Sequence, residues 1–366
     1  MLIKEYILKP MKSLLRLFLL LIVFSFLIIH LEGQNNLKQY YNYVNQAELA
    51  ICSENYFSAA QLYEKAFIQK KPFGKDLKNA YIISCNFLND KELSIYYAHQ
   101  LFQRGFRDLF EISDSTMMKD VDFYQQLAIL YDTTVRMYDL ELEKKFESLA
   151  SEMQMVRYYC NHPSDSCINE INKVDRYCYQ SLIEFYQEYS EISDCSVGYN
   201  FYSFTQFPFL NFVQSNNYNI QKILYQEVLK GNFDATRYME LEDIYHYSYA
   251  NYPENQNSIL YGASYANTVI TDNTLFILNP ENMEQINSNR KAIYVAETWN
   301  DYLTKVTYQF KYKKFFFYPV SYISYGNDND DKLNADKLKS EIDSDHFQGN
   351  FRRIYVEREE AVFADF

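Results

Sequence analysis

The architecture of this chain turns on residues 40–72, YYNYVNQAELAICSENYFSAAQLYEKAFIQKKP. Tyr43, Ala47 and Ala50 recur at intervals of three and four residues, and Tyr56, Ala59, Tyr63 and Ala66 do the same after a break at Asn55. That period belongs to a helix with one buried face, so the stretch predicts two helices joined by a tight turn. Ala47 and Ala59 let the two helices approach closely, and the rings of Tyr43 and Tyr63 fill the space around them. Pro72 closes the pair. A single helical pair cannot bury both of its faces, so more of the same must follow.

It does follow. Residues 77–108, LKNAYIISCNFLNDKELSIYYAHQLFQRGFRD, repeat the plan with Ala80, Cys85, a turn at Asn89-Asp90, and Ala98. The spacing of Tyr43, Ala47, Ala50, Tyr56, Ala59, Tyr63, Ala66 and Pro72 resembles that of the tetratricopeptide repeat. The second unit ends in Gly105, Phe106 and Asp108, which resembles the degenerate last repeat of exported bacterial tetratricopeptide proteins. The resemblance implies tetratricopeptide-like helical repeats over residues 36–136, with residues 113–136 beginning a cap. It also implies a concave groove of fixed side chains that contacts a protein partner.

From Asp139 the pattern stays helical. Leu142, Phe146, Leu149, Met153 and Val156 share one face, and Ile171, Val174, Cys178 and Leu182 mark a second helix over about 168–192. A third is expected over 219–230, stopped by Gly231, and a fourth over 236–250. A β-hairpin at 258–279 follows, then a helix opened by Asn279, Pro280 and Glu281. The fold expected is therefore mainly α: the repeats, then a mostly helical C-terminal domain at 139–305 with a small β-hairpin. Residues 306–366 read as a strand-like segment, including KKFFFYPVSYIS, and a polar tail.

Several features of 139–302 occur in the order found in an uncharacterised domain that resembles this region in other exported bacterial proteins. They are Gln154 with Arg157, Asp175, Gly231 with Phe233, the helix of Tyr238, Leu241 and Asp243, the Tyr261-Gly262 pair, and Arg290. The chain departs from that domain where a His is expected near Asn211 and Phe212, an Arg at Ile244, and a Thr at Ala263. The departures imply that any activity of the relatives is lost here.

The N-terminus adds an address. Lys4, Lys9, Lys12 and Arg16 precede the apolar run Leu17–Ile29, and Gly33-Gln34 offers a cleavage point. A run this short suits a signal peptide over residues 1–33 rather than a spanning helix, and Met11–Gly33 alone makes a complete signal. The mature chain is then exported, periplasmic or associated with the cell surface, and meets a membrane only through this segment if it stays uncleaved. A net charge of −13 argues against nucleic acid, which needs a basic face. The 37 tyrosines reflect a thick core whose hydroxyls reach hydrogen-bond partners.

Chemistry is sparse. Asp243 and His246 share one face of a helix, as a carboxylate and an imidazole on one metal ion would, but no second ligand motif accompanies them. Nucleophile motifs, a phosphate loop and a complete calcium loop are absent, so no catalytic residue, cofactor or bound metal is assigned. If a binding site exists in the C-terminal domain, Asp243, His246, Tyr261 and Arg290 are its candidates. Otherwise they serve structure, with Arg290 paired to a carboxylate on the surface of its helix. Of the six cysteines, Cys160 and Cys167 flank the turn CNHPSDSC and can meet at disulfide distance. The function expected is an exported, non-catalytic protein-interaction scaffold, the alternative an enzyme or ligand-binding protein.

Overall fold

The structure, a computed structural model, describes residues 33–317 apart from 114, 161–163, 190–191, 199–200, 202–218, 250–260, 262–267, 272–273, 279–282 and 313, together with 351–355. The described chain is mainly helical. Helix α1 covers residues 33–52. It is followed by α2 (Tyr56–Gln69), α3 (Gly74–Ile82), a π-helical turn (Ile83–Phe87) and α4 (Lys91–Gln103). Side chains cap the starts of α2 and α4. Asn55, expected to end the first helix, opens the second by accepting the Ser58 N–H at 3.2 Å. Asp90 accepts the Leu93 N–H at 3.0 Å and opens α4. Ala47, Ala59, Ala66 and Ala98 are fully buried, as close helix contacts require. Two short helices, α5 (Leu109–Ile112) and α6 (Ser115–Lys119), lead to α7 (Val121–Thr133), which packs beside α4 through Phe102 and Tyr131.

Asp139 caps α8 (Leu140–Tyr159) by accepting from Glu141 and Leu142. Helix α9 (Asp165–Glu188) starts three residues earlier than its apolar pattern suggests, because Ser164 caps it through the Cys167 N–H. Arg157 at the end of α8 forks onto Asp175 of α9, with N···O distances of 2.9 and 2.8 Å. Two motif residues 18 positions apart thereby tie the helices together. Then come α10 (Asp194–Val197), α11 (Asn219–Lys230), α12 (Ala235–Tyr249), α13 (Met283–Ala292) and α14 (Trp299–Tyr312). Gly231, at φ 79°, ends α11. Strands β1 (Thr268–Thr271) and β2 (Thr274–Leu278) pair antiparallel, Val269 opposite Phe276, and β3 (Phe351–Tyr355) pairs with β2, Phe276 opposite Arg353. Of the 258–279 stretch, much besides these strands lies outside the described residues. The same is true of residues 1–32, Asn211, Phe212, Ala263 and 318–350.

One boundary needs correction. Residues 306–312, read as the start of a strand-like segment, are the last turns of α14. Thr298 and Asp301 cap it reciprocally: the Thr298 N–H donates to the Asp301 carboxylate at 2.8 Å, and the Asp301 N–H to Thr298 Oγ1 at 3.2 Å. Trp299, Tyr302 and Val306 form its buried face. The polar tail likewise supplies β3.

Apart from Tyr138 and Ala150, the buried apolar side chains from Leu37 to Phe317 belong to one core, so the boundary expected near residues 136–139 does not divide two separate interiors. The C-terminal chain lies against α1, α2 and α3. Tyr56 stacks on Phe87 at 3.8 Å and on Phe315 at 6.2 Å. Asn79 of α3 brackets the backbone of Phe316, donating to its C=O and accepting from its N–H, each at 2.9 Å. The Ala235 N–H donates to the Tyr41 hydroxyl at 2.9 Å. Among the described residues, no helix is long and apolar enough to cross a membrane.

Candidate functional site

Three of the four candidate residues meet. Asp243, in α12, is 2% exposed and accepts the backbone N–H of Tyr261 at 2.9 Å. Arg290, in α13, donates from Nε to the Tyr261 carbonyl at 2.7 Å. The peptide groups on either side of Tyr261 are thus held from opposite sides, while its ring meets Tyr238 edge-on at 6.0 Å. His246 lies one turn beyond Asp243 on α12, and its side chain is outside the described residues.

Arg290 is not on the surface of its helix, as expected, but fully buried. The chain turns back just after α13: the Val295 N–H donates to the Arg290 carbonyl at 3.0 Å, and Tyr294 sits at φ 67°. This return brings Glu297 and Thr298 beneath the guanidinium, whose Nη1 donates to Glu297 Oε2 and to the Thr298 carbonyl, both at 3.1 Å. The guanidinium also lies 5.1 Å from the centre of the Tyr302 ring. An arginine with this many partners is worth its burial, where one carboxylate at the surface would be worth little.

The chain of polar groups continues into the N-terminal helices. Glu297 offers its other oxygen to Lys305 at 3.1 Å, and Lys305 also donates to Glu48 of α1 at 2.5 Å. Glu48 lies 3.6 Å from the ammonium of Lys75, which is equally close to Asp76 and 4.0 Å from Asp234. Lys75 donates to Thr236 Oγ1 at 3.3 Å and to the Phe317 carbonyl at 3.1 Å. The Tyr40 hydroxyl makes a short bond to Asp76 and accepts the Phe73 N–H at 3.1 Å. From Asp243 to Tyr40, a relay of alternating charge thereby links α12 and α13 to α1 and α3, and none of Glu48, Asp76, Asp234, Glu297 and Lys305 is more than 4% exposed.

Burial sets the electrostatics. It acts to discharge Lys305, but Glu297 and Glu48 outweigh it and hold the ammonium above its ordinary range. Burial likewise works against charged Lys75, and Glu48, Asp234 and Asp76 override it. Asp76 is pushed up to about 7 by burial, against the pull of Lys75 and with the repulsion of Asp234 and Glu48. Burial also raises Glu240 and Glu242 of α12 to about 7. Glu48 Oε1 and Asp76 Oδ1 have no hydrogen-bond partner among the described residues, although both face Lys75.

Glu48, Lys75, Asp76, Glu297 and Lys305 are not singled out by the sequence. Each reads as an ordinary charge on an amphipathic helix, with its partner far along the chain. The Thr298–Asp301 capping box was a readable signal, since it places Glu297 just ahead of a helix start. An open cavity of about 290 Å³ lies elsewhere, between Phe102, Phe106, Arg107, Tyr131 and Arg136, and none of the relay residues lines it. Among the described residues, no group of three or more His, Cys, Asp or Glu side chains is arranged to hold a metal ion. No family model, curated protein or solved structure matches the chain.

Proposed function

We propose that this is an exported, non-catalytic interaction protein, periplasmic or held at the cell surface, in which tetratricopeptide-like repeats and a C-terminal helical domain form one rigid body. The observation that carries this reading is the saturation of the candidate site. Asp243 and Arg290 spend their hydrogen bonds on the peptide of Tyr261 and on Glu297, inside a core that leaves them no more than 2% exposed. Groups used this way fix a scaffold. Because Phe315, Phe316 and Tyr308 lie against α2 and α3, a protein partner contacts the outer helical surfaces.

The alternative, an enzyme or ligand-binding protein with its site in the C-terminal domain, draws on a different observation. Asp243, Tyr261 and Arg290 do converge, and carboxyls raised to about 7 lie beside them in α12. Native mass spectrometry of protein purified from its own host separates the two. The scaffold reading expects a polypeptide starting near Gln34, alone or with a stoichiometric protein partner. A stoichiometric small molecule or metal ion, lost in Asp243→Asn, overturns it.

A further inference from the structure

The open cavity of about 290 Å³ that lies apart from the buried relay has walls fixed by backbone hydrogen bonds. Helix α4 ends at Gly105, whose φ of 82° turns the chain, and the Phe106 N–H donates to the Leu101 carbonyl at 3.1 Å. Helix α7 ends where the Thr134 N–H donates to the Leu130 carbonyl at 2.9 Å. The return segment is then pinned to the end of α4, because the Met137 N–H donates to the Gln103 carbonyl at 2.9 Å. Two rings of the lining, Phe102 and Tyr131, meet edge-on at 5.2 Å, and Phe110 packs against both. A cavity walled in this way is formed before any ligand arrives.

Polar groups in the lining lack partners. Arg107 follows the Gly105 turn and Arg136 belongs to the return segment, so two guanidiniums reach one cavity from separate stretches of backbone. Asp132, in the last turn of α7, adds a carboxylate. Neither Arg107 nor Asp132 makes a hydrogen bond or ion pair with another described residue. The Thr134 Oγ1 is buried and likewise has no hydrogen-bond partner among the described residues. We propose that this cavity binds an α-amino acid with an apolar side chain.

Each part of that ligand answers one part of the lining. Its carboxylate suits the guanidiniums of Arg107 and Arg136, which hold planar anions through paired N–H groups. Its ammonium suits Asp132, and its side chain suits the rings of Phe102, Phe106 and Tyr131. The unpartnered Thr134 hydroxyl is a further polar group for the ligand's charged end. Other classes fit worse. Two cations and one anion leave the lining with a single net positive charge, in a chain whose net charge is −13. A lone amine meets two like charges there, a lone carboxylate leaves Asp132 unpaired, and a phosphate dianion is repelled by it.

The test is calorimetric titration of the full chain with L-phenylalanine and L-leucine. Three probes accompany them: 3-phenylpropionate, which lacks the ammonium; phenethylamine, which lacks the carboxylate; and inorganic phosphate, which lacks an apolar part. Saturable binding of at least one amino acid is expected, with each probe weaker by about tenfold or more. Arg107→Ala is expected to weaken the amino acid by a similar factor. Asp132→Asn is expected to weaken the amino acid but not 3-phenylpropionate. Both side chains are exposed, so both variants should keep the wild-type melting temperature. Asp243 does not line this cavity, so a ligand held here survives Asp243→Asn. The proposal is overturned by no saturable binding of either amino acid at millimolar concentration, by any probe binding as tightly, or by an amino-acid affinity unchanged in either variant.

Discussion

Lys305 illustrates what a buried ion costs when its partners are removed. Its ammonium neutralises Glu48 and Glu297 together. Lys305→Met keeps the bulk but strands two carboxylates, and the expected loss is about 3–5 kcal/mol, measured by urea unfolding. A loss within experimental error would mean that the relay carries no weight in the fold. Asp76 works in the opposite direction. Its folded value of about 7 lies above the ordinary 3.8, so between these values the native chain holds a proton that the unfolded chain has released. Stability from this group is therefore highest at low pH and falls as pH rises towards 7, and Glu240 and Glu242 add to the same slope. Melting temperatures should drop between pH 5 and 7.5, less steeply in Asp76→Asn; an identical slope in that variant would remove Asp76 from the account. Asp243, Tyr261 and Arg290 were singled out in the sequence only by an expected resemblance, and their hydrogen bonds bring them together. Their partners were not legible, because a Glu or Lys on a helix looks the same whether it faces water or an opposite charge.

The first two helices were legible because alanine at a close contact leaves a periodic mark. Ala59 of α2 is fully buried. Ala59→Trp inserts a ring where there is no room, and overpacking typically costs about 1–3 kcal/mol, more for so large a side chain. A circular-dichroism melt matching the wild type would show that α2 is placed wrongly. Helix α14 was misread for the opposite reason. Its second half, Tyr308 to Tyr312, runs into the aromatic cluster of Phe315 to Phe317, and β-favouring rings obscured the period of Trp299, Tyr302 and Val306. The cap at Thr298 carried the information that the aromatic composition hid. Sequence periodicity also could not show that the faces of α1 and α3 lie against the chain's own C-terminal segment, since an exposed groove and an occupied one have the same apolar pattern.

A single core with a charged relay through it predicts one cooperative unfolding event. Trp299 is the only tryptophan and lies in α14, whereas the helical circular-dichroism signal comes from every helix. In urea the two probes should give the same midpoint. Separate midpoints would mean that the N-terminal helices and the C-terminal part unfold as independent units. The bond between Lys305 and Glu48 spans 257 positions, which also makes it a matter of timing. At about 5–20 residues per second, Lys305 leaves the ribosome about 13–50 s after Glu48. Through most of that interval Glu48 has Lys75 beside it but still lacks Lys305. The amino-terminal helices of a nascent chain therefore complete their charge pairing only when the last long helix has been made.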